Sequence, residues 1–160
     1  MKVVVELTGV NEEVLKRLLQ DLEKMPSVER VRPLRPAFVI MKFDDELLDS
    51  AYEGVIRPLL EEFGYDPQRI DEIQDSGKIS DQILMSIRDA ELIVADLTGE
   101  RPNCYYEVGY AHALDKAMIF TMKKGEKIHF DLSHHRVIIW TTEASLRKQL
   151  RKRLGAHTNP

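Results

Sequence analysis

The chain is short of cysteine: Cys104 is its single one, which excludes an internal disulfide framework and a cysteine-based zinc site. It has one tryptophan and only 8 glycines in 160 residues, and no glycine-rich stretch of the kind that wraps a pyrophosphate. No apolar run approaches the ~18 residues that a membrane span needs. The opening Met1-Lys2-Val3-Val4-Val5-Glu6 reaches an acidic residue too early for a signal peptide. The expectation is a soluble, cytoplasmic protein without membrane contact. At 43% apolar and 31% charged the composition is that of a globular domain, and the length suffices for a core without staples.

Charge is unevenly spread. Residues 1–35 carry 7 Lys/Arg against 6 Asp/Glu, residues 36–122 carry 7 against 18, and residues 123–160 carry 9 against 3. An acidic centre argues against a nucleic-acid groove there, because phosphate backbones select cations. The basic cluster Arg147, Lys148, Arg151, Lys152 and Arg153 reads as a solvated helix face whose cations suit a helix C-terminus.

Periodicity divides the chain in two. Residues 1–35 read as a small β-α-β extension: Val3 to Leu7 as a strand, Asn11 as a helix cap with Glu12 and Glu13 behind it, and Val28 to Val31 as a second strand. From residue 36 to 154 strands and helices alternate. Ala37 to Met41 and Leu92 to Ala95 are apolar throughout, as strands buried on both faces are. A weaker strand is expected near Arg69 to Ile73, and others at Ala117 to Met122 and Arg136 to Trp140. Helical spacing covers about 47–63, with Pro58 expected to kink it, then about 79–88, 103–114 and 143–154. Residues 155–160 are expected to fray. This alternation predicts an α/β fold: a three-layer, flavodoxin-like or Rossmann-like parallel sheet.

In such sheets ligands sit outside the carboxyl ends of the strands. Those ends carry Lys42, Phe43 and Asp44; then Asp75, Ser76 and Gly77; then Asp96, Thr98, Gly99 and Arg101. The helix that follows opens Asn103-Cys104-Tyr105-Tyr106-Glu107. If Asn103 caps it, Glu107 lies one turn in on the same side, and a capping box would need its acid at Tyr106 instead. Glu107 is therefore the prime candidate for a nucleophile or base. Asp96 reads either as a crevice carboxylate or as a turn aspartate bonding the backbone of Thr98 or Gly99, and Asp75 is more turn-like still. Cys104 reads as a small buried side chain. His129, His134 and His135 lack metal-ligand spacing, so no metal is expected.

Several strings taken together carry a resemblance. They are Phe38-Val39-Ile40-Met41-Lys42-Phe43-Asp44, Ile79-Ser80-Asp81-Gln82-Ile83-Leu84, Ala95-Asp96-Leu97-Thr98-Gly99, Pro102-Asn103-Cys104-Tyr105-Tyr106-Glu107-Val108-Gly109-Tyr110-Ala111-His112-Ala113-Leu114 and Phe130-Asp131-Leu132. The chain resembles the nucleoside 2-deoxyribosyltransferase-like superfamily, and within it the TIR-like branch of nucleotide-binding proteins. The resemblance covers about residues 36–154. It implies N-glycosidic bond cleavage or transfer on a nucleoside or nucleotide, with Glu107 attacking the anomeric carbon and Asp75 holding the base. Asp96 or Asp75 would protonate the leaving base, Asn103 and Thr98 would orient the sugar, and Tyr106 would stack. The transferases have an aspartate where this chain has Arg101, and the branch has a proline where this chain has Lys42. Both changes suit a phosphate. The resemblance further implies a homo-oligomer without a cofactor, and leaves a non-catalytic nucleotide sensor or an interaction domain as alternatives.

Overall fold

The computed structural model describes residues 11–24, 34–70, 79–127, 132 and 134–158. The chain divides into two compact units, Met1–Pro33 and Leu34–Pro160. The first contributes helix α1, Glu12–Glu23. Its cap is the expected one: the Asn11 Oδ1 accepts from the Val14 N–H at 2.9 Å, and Glu12 and Glu13 occupy the first turn, where the helix dipole favours anions. The strands expected at residues 3–7 and 28–31 lie outside the described residues.

The second unit is built on five parallel strands: β1 Arg35–Ile40, β2 Tyr65–Arg69, β3 Leu92–Asp96, β4 Ala117–Lys123 and β5 Val137–Trp140, in the order β2-β1-β3-β4-β5. The helices are α2 Glu46–Ala51, α3 Arg57–Glu62, α4 Ile79–Asp89, α5 Pro102–Ala113 and α6 Glu143–Thr158. Because successive strand residues face opposite ways, β1 feeds two cores. Val39, with Val94, Ile119 and Trp140, packs under α2, α3 and α6; Phe38 and Ile40, with Ile93 and Phe120, pack under α4 and α5. The result is the expected three-layer α/β arrangement. Each such side chain stabilises by about 1.5–3 kcal/mol on burial, and trimming one of them, Ile93 for instance, to alanine costs about 2–5 kcal/mol.

Pro58 acts differently from a simple kink. A π-helical segment, Tyr52–Ile56, joins α2 to α3, so that the Arg57 N–H reaches back to the Tyr52 carbonyl. Pro58 has no N–H for the Gly54 carbonyl four residues back. The Arg147 guanidinium of α6 donates to that carbonyl instead. Widening one turn lets the proline stay in an otherwise continuous helix.

Several boundaries move by a few residues, and three of the moves have a local cause. β2 starts four residues before the expected Arg69, because Gly64 at φ +81° ends α3 and the chain turns straight into the sheet. Pro67 is tolerated in β2 because, among the described residues, this strand pairs only with β1. α6 runs to Thr158, so the residues after Leu154 are helical through that point rather than frayed. α5 starts at Pro102 with Arg101 at the cap position, one residue before the expected start, because proline is well suited to the first helical position.

Candidate active site

In this strand order the connections diverge at β1 and β3: the chain leaves β1 toward one face and one edge, and leaves β3 toward the other. Open α/β sheets of this kind place their ligand crevice at such a switch point, at the carboxyl ends of the strands. Two loops border it. The first carries Lys42, Phe43, Asp44 and Asp45, and the second Thr98, Gly99, Glu100 and Arg101. Asp44, Gly99 and Glu100 all have positive φ, at 57°, 83° and 47°. The Lys42 Cδ lies 3.9 Å from where a Cβ on Gly99 would stand, so the loops meet there.

Three of the expected polar residues, Lys42, Thr98 and Asp96, hold these loops and strands together. The Lys42 ammonium pairs with the Asp45 carboxylate at 2.7 Å rather than standing open for a phosphate. Asp45 in turn caps α2 by accepting from the Leu48 N–H, and the lysine holds its carboxyl below the usual range. Thr98 Oγ1 accepts from the Lys123 N–H at 3.0 Å, which braces β4. Phe43 and Asp44 are exposed at the crevice mouth.

Asp96 needs a correction as a crevice acid or base. It is only 1% exposed. Its Oδ2 accepts from the Thr121 hydroxyl at 2.6 Å and from the Trp140 indole N–H at 3.1 Å, and its Oδ1 accepts from the Thr98 N–H at 3.0 Å. The turn alternative is what the structure shows, extended by two side chains that tie β3 to β4 and β5.

Glu107 is placed otherwise. It sits in a cleft of about 320 Å³ lined by Ile83 and Leu84 of α4 and by Asn103, Tyr106 and Glu107 of α5. Among the described residues its carboxylate has neither a hydrogen-bond donor nor an ion-pair partner. Burial alone pushes its pKa from the ordinary 4.5 up to about 7. Asn103, one turn earlier, is the second helical residue and not the cap; its carboxamide lines the same cleft. Tyr106, 69% exposed, offers a ring at the rim. Arg101 stands exposed at the start of the helix. A carboxylate with no donors, between aliphatic walls and beside a carboxamide, can attack an electron-poor carbon or stabilise a cation formed next to it.

Asp75 and Gly77 lie outside the described residues. Cys104 is buried as expected, and its thiol is pushed up to about 12, first by burial and then by Glu107 and Asp96, so it is inert. His112 is exposed on α5 and packs edge-on against His135, ring centroids 5.7 Å apart; among the described residues no group of three ligands is placed to hold a metal. Among the described residues no helix is long and apolar enough to cross a membrane.

The sequence reading missed two features. Ile83 and Leu84, which wall the Glu107 cleft, show in the sequence as helix-periodic apolar residues within one of the resemblance strings, with no role attached to them. Arg69, only 6% exposed at the end of β2, bonds the Asp49 carboxylate at 2.7 Å and lies over the Tyr52 ring at 4.5 Å. A strand placed at 65–69 would have flagged it as a charge at a buried carboxyl end.

No protein-family model and no curated protein sequence matches the chain. Solved structures do. The CMP N-glycosidase BcmB of Clostridium botulinum superposes with a TM-score of 0.59 at 19% identity, over 73% of this chain and 98% of that one. The 2-deoxyribosyltransferase of Bacillus psychrosaccharolyticus superposes with a TM-score of 0.54 at 13% identity, over 69% of this chain and 89% of that one. The chain thus has the three-layer α/β fold seen in the structures of enzymes named for N-glycosidic cleavage and deoxyribosyl transfer.

Proposed function

We propose that this protein cleaves or transfers the N-glycosidic bond of a nucleoside or nucleotide, with Glu107 as nucleophile. The observation that carries the reading is the Glu107 carboxylate, unpartnered among the described residues and part-buried in a cleft large enough for a sugar. In its ionised form one Glu107 oxygen bonds to the anomeric carbon while the carbon–nitrogen bond breaks, the electron pair leaving with the base. The developing positive charge on the sugar is stabilised by the same desolvated carboxylate. Water, or a second base, then takes the sugar from the glutamyl ester.

The remaining roles follow from position. Asn103 bonds sugar hydroxyls from within the cleft, and Tyr106 stacks on the base. Arg101 meets a phosphate where the substrate has one, and Phe43 and Asp44 close the mouth on the β1 side. With Asp96 committed to Thr121, Trp140 and Thr98, the proton for the leaving base falls to Asp75, near Gly77, or to water. The likeness in fold to a CMP N-glycosidase supports a nucleotide among the substrates to try first.

The test is to incubate the protein separately with CMP, 2′-deoxynucleosides and NAD, and to look for free base by chromatography. Base release by the wild type, reduced about 10³-fold or more in Glu107→Gln with the fold intact, is the expected result. Thermal stabilisation by CMP without base release would replace the reading with a non-catalytic nucleotide sensor. Neither effect would leave a TIR-like interaction domain.

A further inference from the structure

We propose that Arg69 is a positioning residue that fixes the 42–45 loop at the crevice mouth and so governs ligand binding there; the ligand-binding part rests on the proposed function. Three contacts form a chain from β2 to the 42–45 loop. The Arg69 guanidinium, deep in the protein, bonds Asp49 Oδ1 at 2.7 Å, lies over the Tyr52 ring and reaches to 3.9 Å from the Met41 sulfur at the end of β1. The other oxygen of Asp49, Oδ2, accepts from the backbone N–H of Asp45 at 3.1 Å. Asp45 Oδ2 then takes the Lys42 ammonium, and Asp45 Oδ1 caps α2. The Lys42 Cδ stands 3.9 Å from where a Cβ on Gly99 of the opposite loop would be.

The logic is one of transmission. A buried guanidinium is retained only where its fork is fully engaged, and here one arm of that engagement is a carboxylate shared with a loop amide. Asp49 is held by Arg69 on one side and holds the loop on the other. Between Lys42 and Asp45 stand Phe43 and Asp44, both exposed, with Asp44 in the left-handed region at φ 57°. Aspartate tolerates that region at a modest cost, and the clamp on the neighbouring Asp45 helps hold it there. Loss of Arg69 frees Asp49 to turn away and releases the Asp45 amide, after which Phe43 and Asp44 no longer share one geometry.

The experiment compares wild type, Arg69→Met and Arg69→Lys by amide hydrogen exchange, and then by kinetics or calorimetry with CMP as probe. Positioning predicts faster exchange at Asp45 and Leu48 in Arg69→Met, with Val94 and Ala95 in β3 as protected as before. It predicts further that the KM for CMP, or its Kd, rises about tenfold with kcat within twofold. Arg69→Lys keeps the charge but not the fork, and is expected to fall between the two. Faster exchange at β3 as well as the loop would mean a plain loss of stability, and would overturn the proposal. So would unchanged exchange at Asp45, or a fall in kcat with KM unchanged. A wild-type protein that neither binds nor cleaves CMP, 2′-deoxynucleosides or NAD would overturn the proposed function and the ligand-binding clause, while the exchange comparison would still decide whether Arg69 fixes the loop.

Discussion

Replacing Glu107 by glutamine is expected to make the protein more stable at neutral and alkaline pH while abolishing turnover. Below pH 4.5 both folded and unfolded chains hold the proton, and the carboxyl contributes no penalty. Between 4.5 and about 7 the unfolded chain gives up a proton that the folded one keeps, so folding weakens as pH rises. Above about 7 the folded protein carries a partly desolvated anion and the penalty is complete. The gap from 4.5 to about 7 sets a ceiling of about 3 kcal/mol. The carboxyl is only part-buried, and solvent screening brings the figure to about 1.5 kcal/mol. Glutamine has nearly the same shape and never ionises, so measuring both proteins at pH 4.5 and pH 8 subtracts any cost of its amide. In thermal denaturation the difference in midpoint between variant and wild type should grow by about 3–6 °C from the lower pH to the higher. Parallel pH dependences for the two proteins would show that the Glu107 carboxylate is solvated or paired when folded, and the case for a desolvated nucleophile would fail.

Three further outcomes are expected. Because the proposed nucleophile acts in its ionised form, kcat/KM for base release should rise about tenfold per pH unit up to about pH 7 and then level off; a rate falling through that range would assign Glu107 to acid catalysis instead. Asp96→Asn should cost about 3 kcal/mol in urea denaturation, since whichever way the amide turns its NH2 faces a donor, the Thr98 N–H on one side or Thr121 and Trp140 on the other, and a loss under about 1 kcal/mol would refute the tie between β3, β4 and β5. The Cys104 thiol should react with a disulfide reagent at pH 8 only as fast as the protein opens, and rapid labelling of the folded state would contradict its burial.

What could be read from the sequence follows the range of the interactions concerned. β1 and β3 are unmistakable because strands covered on both faces need unbroken apolar runs. β2 was displaced because its alternate buried positions are Tyr65, Pro67 and Arg69, and a buried arginine is intelligible only once Asp49, twenty residues earlier, is seen beneath it. Glu107 stands out through its spacing from Asn103, a local property, although Arg101 and not Asn103 holds the cap position. The aliphatic wall of the Glu107 cleft does not, since Ile83 and Leu84 come from a different helix. Asp96 was correctly placed at the end of β3, yet what it does depends on Trp140, 44 residues on. Chain-local chemistry was legible, and pairings across the sheet were not.

The placement of Pro67 has a consequence for how these molecules behave in a crowd. Among the described residues β2 has β1 on one side and no strand on the other, so its far side offers backbone groups to any extended peptide that drifts past. A ring nitrogen in the middle of a five-residue strand removes one donor from that margin, and Asp66 and Gln68 on either side of it are exposed, one of them charged. An intruding strand would find a short, gapped ladder beside a negative charge, which discourages runaway stacking of sheets between neighbouring copies during synthesis and storage.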